Sequence, residues 1–145
     1  MTDTIGAELA ALFEAAAAAM ATAYAPYSHF PVGAALRDEH GRIHAGCNVE
    51  NAAYPVGTCA EAGAIAAMIA GGGRAIGVIL IIGEGQALVT PCGACRQRIR
   101  EFADPATPIH IAGPDGIRRS FTLDALLPDS FGPDHLHGKN QHADA

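Results

Sequence analysis

Thr58-Cys59-Ala60-Glu61 and Pro91-Cys92-Gly93-Ala94-Cys95 hold the side chains of this sequence that are best suited to chemistry. Three thiolates are one ligand short of the four that close a structural zinc site, and an open fourth position is the arrangement of a catalytic zinc. Glu61, two residues after Cys59, is then free to handle protons on water and need not bind the metal. A Cys-x-x-Cys pair alone also marks thioredoxin-like redox sites, and single cysteines are commonly small buried hydrophobes. The third cysteine with its Glu, and the proline before Cys92, separate this pattern from both. A structural zinc or redox module would leave Glu61 without a task.

Helix starts suit both ligand stretches. One helix is expected from Cys59 to Ile69, stopped by Gly71-Gly72-Gly73, and another from Cys92, behind Pro91, to near Phe102. Unpaired N–H groups and the positive dipole end favour a thiolate at each start. Cys92 and Cys95 lie one turn apart, so both sulfurs face the same way. Two helix N-termini would then meet at one ion. Arg96, four residues after Cys92, leans towards the preceding turn and could reach its sulfur; solvent or a subunit contact is the commoner fate of a helical arginine.

The remaining elements frame these two. Ile5 to about Ala23 carries Leu9, Leu12, Phe13 and Met20 on one stripe, an amphipathic helix with Thr4 as its N-cap and Pro26 as its stop. Val32–Leu36 and Ile43–Cys47 flank Asp38-Glu39-His40-Gly41 as a β-hairpin. Cys47 reads as a small buried thiol at a strand end, away from the metal. In an extended Asn48-Val49-Glu50, Asn48 and Glu50 share a face. That amide and carboxylate can hydrogen-bond vicinal hydroxyls, or they can be a plain surface pair. The β-branched run Ile76–Ile82 is a central strand covered on both faces. Strands at Ile109–Ala112 and Ile117–Phe121 flank a turn, and Thr122 caps a short helix through Leu127. One domain over 1–131 is expected. From Gly132 the chain turns polar, and His135, His137 and His142 form no dense ligand cluster. A flexible C-terminal tail over 132–145 is expected there.

Composition narrows the function. The chain has 145 residues, 50% of them hydrophobic and 17% charged, which excludes disorder for its bulk. A net charge of -6 without any basic cluster disfavours nucleic acid, which is bound through Lys and Arg on phosphates. A small neutral or cationic substrate fits better. The aliphatic excess also suits a subunit that buries surface against copies of itself. Ala7 to Ala23 carries Glu8 and Glu14 and lacks the basic start of a secretory segment. The longest apolar runs are too short to span a bilayer. Thiolate ligands in a reducing cytoplasm account for four cysteines more simply than disulfides do.

Three protein ligands, a non-ligating Glu and Pro-Cys-x-x-Cys make up the zinc-deaminase pattern, here in a three-Cys variant with Cys59 where His is often found. From about Ala10 to Phe131 the chain resembles the small homotetrameric cytidine deaminases. The resemblance is carried by Tyr24-Ala25-Pro26-Tyr27-Ser28, Phe30-Pro31-Val32-Gly33-Ala34, Gly46-Cys47-Asn48-Val49-Glu50-Asn51-Ala52, Cys59-Ala60-Glu61 and Pro91-Cys92-Gly93-Ala94-Cys95-Arg96-Gln97. It implies a three-layer α/β/α sandwich with a mixed sheet of about five strands, and one Zn2+ per subunit on Cys59, Cys92 and Cys95. The implied reaction is hydrolytic deamination of cytidine and 2′-deoxycytidine in cytoplasmic pyrimidine salvage, with Glu61 as the catalytic acid–base. Phe30, Asn48, Glu50, Ala52, Tyr54, Ala60 and Phe131 match substrate-binding positions. Asn48 and Glu50 correspond to residues that hold the ribose 3′-hydroxyl, and Tyr54 and Phe131 to aromatics at a neighbouring subunit's site in a homotetramer. A nucleoside is the implied partner, with no nucleic acid and no membrane. A related aminohydrolase acting on another cytosine nucleoside or nucleoside antibiotic is the alternative. One departure stands out: the family commonly has Arg after the catalytic Glu, where it offsets the thiolate charge, and this chain has Ala62.

Overall fold

Side chains at 78–82 of the apolar run alternate between two cores, and that alternation sets the architecture. The computed structural model describes residues 2–137, with side chains from residue 6 onward. Its elements are α1 (Thr2–Ala21), β1 (Val32–Asp38), β2 (Ile43–Cys47), α2 (Ala60–Ala70), β3 (Ile76–Gly83), α3 (Gly93–Phe102), β4 (Pro108–Gly113), β5 (Gly116–Thr122) and α4 (Leu123–Leu126). The five strands form one sheet in the order β2-β1-β3-β4-β5. β3 pairs antiparallel with β1 and parallel with β4, and the two outer pairings are antiparallel. Ile79 and Ile81 pack with Ala60, Ala64, Met68 and Ile99 from α2 and α3. Leu80 and Ile82 face the other way, onto Leu12 and Ala16 of α1. The expected three layers and mixed sheet are present.

Two glycines set how closely helices approach the sheet. A Cβ at Gly33 would run into the α1 backbone at Ala16 and Met20. One at Gly46 of β2 would overlap the α2 backbone at Ala60, Gly63 and Ala64. Glycine lets the two backbones touch there. α2 therefore lies directly on β2, with its first turn beside the chain that leaves β2 at Asn48.

Element ends differ from expectation where tertiary contacts intervene. α1 begins at Thr2, so Thr4 lies inside the helix and is not its N-cap. The helix also stops at Ala21, ahead of Pro26, because the next residues are drawn into other contacts. Thr22 Oγ1 donates back to the Ala19 carbonyl at 2.8 Å, and Tyr24 N–H donates to the Asn48 carbonyl at 3.0 Å. Thr122 caps α4 as expected, its Oγ1 accepting from the Ala125 N–H at 3.2 Å. The flexible tail expected from 132 has a helical first segment over 133–137. Arg100 ties that segment down through Asp134 at 2.6 Å, and Gln97 Nε2 donates to the Phe131 carbonyl at 2.8 Å. Residues 138–145, including His142, lie outside the described residues.

Asp38 is a buried carboxylate at the end of β1. It takes hydrogen bonds from the His40 and Arg42 N–H groups at 2.8 and 3.0 Å and from Arg42 Nε at 3.1 Å. His44 Nε2 lies 2.8 Å away. Burial alone would raise its pKa, but the His44 ring and the Arg42 and His40 contacts outweigh it and hold the carboxyl well below the usual range. A depressed carboxylate pKa contributes stability above the unfolded value, about 3.9, and loses it as pH falls through the folded one. Asp38→Asn should therefore lower the thermal midpoint at pH 7, and the gap to the parent should narrow on acidification below about pH 4. A gap that stays constant from neutral pH into that range would refute this role for the charge.

Candidate metal centre and substrate cavity

Each ligand stretch places a cysteine at a helix start. Cys59 is the N-cap of α2, with extended backbone at φ -79° and ψ 161°. Cys92 is the N-cap of α3, at φ -64° and ψ 166°. Their carbonyls accept the first helical hydrogen bonds, from the Gly63 and Arg96 N–H groups. Pro91 precedes Cys92 and pre-sets the entry into α3. Cys95 follows one turn on and is fully buried. The Sγ atoms of Cys59, Cys92 and Cys95 all lie within 4.8 Å of one another.

The donor set fits zinc. Two sulfurs on a tetrahedral zinc at about 2.3 Å are about 3.8 Å apart; those of Cys59 and Cys92 are 3.9 Å apart. The thiols do not favour a common charge state by themselves. Burial pushes Cys59 up, and burial together with the Glu61 charge pushes Cys95 far up. At Cys92 burial also acts upward, but hydrogen bonding from the Cys95 backbone N–H and the neighbouring thiols brings it down. A dication is what makes three adjacent thiolates favourable together. Cys47 stands apart, half-buried, with Thr22 Oγ1 3.8 Å from its sulfur.

Glu61 sits in the first turn of α2 and is only 4% exposed. Burial raises its carboxyl pKa, against its own backbone N–H, the Cys95 side chain and the Arg98 charge. It lines a cavity of about 320 Å³ together with Asn48, Glu50, Cys59, Ala60 and Cys92. Val32, Val49, Ile81, Val89 and Thr90 complete much of the apolar wall. The described residues thus bring the Cys59 and Cys92 thiols, one buried carboxyl and the Asn48/Glu50 pair to a single space, with the Cys95 thiol buried beside them.

Asn48 and Glu50 reach that space because Val49 is clamped from both sides. It forms isolated bridges to Tyr24 and Thr58, which keep the segment extended. Val49 is exposed at the cavity rim, while Asn48 and Glu50 on either side of it are half-buried, consistent with the shared face expected for an extended segment. Both polar side chains are held by the loop before β1. Asn48 Oδ1 accepts from the Val32 N–H at 2.9 Å and Nδ2 donates to the Phe30 carbonyl at 2.9 Å. Glu50 Oε1 accepts from the Tyr27 and Ser28 N–H groups at 3.0 and 3.1 Å, and Oε2 accepts from the Ser28 hydroxyl. The Ser28 contacts hold the Glu50 pKa below its ordinary value.

The aromatic positions fall elsewhere. Tyr54 is 74% exposed and lines a neighbouring cavity with Tyr27, Ser28 and Glu50. Phe30 and Ala52 are exposed, and Phe131 is 59% exposed and stacked on His135. None of these four lines the cavity that holds Glu61.

The family model described as "Cytidine and deoxycytidylate deaminase zinc-binding region" matches residues 7–111. The chain belongs to this family. A cytidine deaminase of Sporosarcina psychrophila is 41% identical over 114 residues, covering 79% of this chain and 84% of that protein. One from Mycobacterium tuberculosis (strain ATCC 25618 / H37Rv) is 44% identical over 119 residues, covering 81% and 85%. The crystal structure of cytidine deaminase from Burkholderia pseudomallei superposes with a TM-score of 0.79 at 44% identity, covering 83% of this chain and 97% of that one.

Deaminase-family membership makes the cation near the sulfurs informative, and here the structure corrects the sequence reading. Arg96 does not reach Cys92. Its Nε donates to the Pro91 carbonyl and Nη1 to the Leu126 carbonyl, both at 2.8 Å, and Nη2 to Thr90 Oγ1 at 3.3 Å. Three oxygens outbid one sulfur for the guanidinium, so Arg96 braces the lead into α3 against α4. Arg98, unremarked in the sequence, donates from Nη1 to Cys95 Sγ at 3.4 Å. The available signal was its spacing of three from Cys95, which places both on one helix face. Ser28, the anchor of Glu50, stood in the sequence only as the last residue of the Tyr24-Ala25-Pro26-Tyr27-Ser28 stretch, with no role of its own.

Proposed function

We propose that this chain is a zinc-dependent cytidine deaminase, hydrolysing cytidine and 2′-deoxycytidine to the uridine products and ammonia in cytoplasmic pyrimidine salvage. The observation that carries the reading is the single cavity where the thiol cluster, buried Glu61, Asn48 and Glu50 meet. Its volume falls within the range of small-molecule pockets. The relatives named above support the substrate. The related-aminohydrolase reading stays as the second outcome of the substrate test. Among the described residues no helix is long and apolar enough to cross a membrane.

Cys59, Cys92 and Cys95 are the residues that would hold zinc, which when bound supplies a Lewis acid that brings the pKa of water towards neutrality. Glu61 takes a proton from the attacking water and delivers it to N3 of the pyrimidine. It then carries the second proton to the amino group leaving C4 as ammonia. A carboxyl whose pKa is raised by burial suits both directions of transfer. Ala60 lines the cavity between ligand and acid–base group. Asn48 and Glu50, pre-oriented by the Tyr27–Val32 loop, receive the ribose 3′-hydroxyl. The amide retains one N–H for this after its two loop contacts, and the carboxylate retains lone pairs.

Tyr54 and Phe131 are assigned to substrate closure in a homotetramer, where an aromatic from one subunit covers the cavity of another, and Phe30 and Ala52 to the substrate-site wall. The exposure of Tyr54 and Phe131 in the single chain supports the closure assignment, since aromatic side chains usually gain from burial.

A panel of cytidine, 2′-deoxycytidine, cytosine and a cytosine-containing oligonucleotide tests the substrate class, and turnover of both nucleosides with no product from the oligonucleotide is expected. Deamination of only a modified nucleoside would move the chain to the related-aminohydrolase reading. Glu61→Ala should keep its zinc and lose activity by at least about 10² to 10⁴. Activity within threefold of the parent at equal zinc content would remove Glu61 from the mechanism. Mixed oligomers of inactive Glu61→Ala and Phe131→Ala chains should regain part of the activity. No recovery from demonstrably mixed oligomers would exclude shared sites.

A further inference from the structure

Three thiolates around a divalent ion carry about one net negative charge, and a carboxylate beside them adds to it. The first turn of α2 holds Glu61 and no basic residue. Arg96, the nearest arginine in α3 by sequence, is committed to three oxygens. The N-termini of α2 and α3 offset part of this charge at Cys59 and Cys92, and any side-chain cation that adds to them must be another residue.

Of the three sulfurs, that of Cys95 is in the most demanding position. Cys59 and Cys92 occupy N-caps and are partly open, whereas Cys95 lies a turn inside α3 with 0% exposure. Water cannot share its charge, and an uncompensated buried charge is costly. Arg98 is the only side chain among the described residues whose cation donates to a ligand sulfur. The contact follows from helix geometry: residue 98 lies three after residue 95, and helical side chains lean back over the preceding turn. No carboxylate takes Arg98 in an ion pair among the described residues, so its charge is directed to the sulfurs. A charge-assisted hydrogen bond of this kind also fixes the direction in which the sulfur presents its lone pairs.

We propose that Arg98 is a positioning residue of the metal centre: its guanidinium anchors the Cys95 sulfur and offsets the negative charge of the three-sulfur set, so that zinc is retained. The inference rests on the zinc site proposed above. Arg98 acts through Cys95 and does not touch the reacting atoms.

The test measures zinc release from the purified holoenzyme into a colorimetric chelator at neutral pH, for the parent, Arg98→Met, Arg98→Gln and Arg98→Lys. Loss of a partner behind a metal ligand typically weakens metal binding by about 10- to 100-fold. Arg98→Met and Arg98→Gln should release zinc at least about tenfold faster than the parent, the first lacking donor and charge and the second only charge. Arg98→Lys should stay within about threefold. Thermal midpoints of the metal-free proteins should match, because the contribution is made to the metal-bound site. Parental release from Arg98→Met overturns the proposal, as does a Lys variant as leaky as Met. Gln at the parental rate overturns the charge role. A metal-free Arg98→Met protein that melts as far below its parent as the holo form does would make the contact merely structural. If the parent itself binds no zinc, the metal-site reading fails. If it binds zinc and Arg98→Met holds it equally well, only the Arg98 assignment fails.

Discussion

Convergence of two helix N-termini on one small volume is the constraint on which the rest of the structure depends. Cys59 and Cys92 stand 33 residues apart in the chain and bring their sulfurs to 3.9 Å. Neither helix can shift without separating them. α2 is pinned by the bare contact at Gly46, and α3 follows β3, the central strand of the sheet. The parallel pairing of β3 with β4 requires a crossover, and α3 is that crossover. Its first turn therefore emerges at the end of β3, beside the start of α2.

The same arrangement accounts for a buried carboxyl that has no ion-pair partner among the described residues. Glu61 occupies the first turn of α2, where backbone N–H groups and the helix dipole favour negative charge. Burial opposes that preference and raises its pKa. The two effects leave a group that can both accept and return a proton, which is what an acid–base role in deamination demands. A salt bridge would have trapped the charged form.

Polar contacts around the cavity divide between holding the protein and meeting a ligand. Asn48 and Glu50 spend most of their capacity on the Tyr27–Val32 loop, so the loop and the polar edge of the cavity are one unit. Arg96 likewise serves the backbone before α3 and the end of α4. Preorganisation of this kind keeps polar groups aimed before a ligand arrives, and it lowers the ordering cost of binding.

Much of this was written in the sequence. Cys59, Glu61, Cys92 and Cys95 stand out by type and spacing, and local rules placed the helices behind the two Cys stretches within a residue of their observed starts. The uninterrupted apolar run identified β3 as covered on both faces, because a strand with apolar side chains on both faces has no side left for water. What local pattern could not decide were choices between competing partners. α1 ends at Ala21 because Asn48, far along the chain, takes the Tyr24 N–H. Arg96 prefers the Leu126 and Pro91 carbonyls over sulfur, and Arg98 takes the sulfur instead. The 133–137 segment is held by Arg100, which polarity alone would never suggest. Spacing along a helix states which groups a side chain can reach; only the assembled fold states which other groups are within reach as well, and the better-matched acceptor wins.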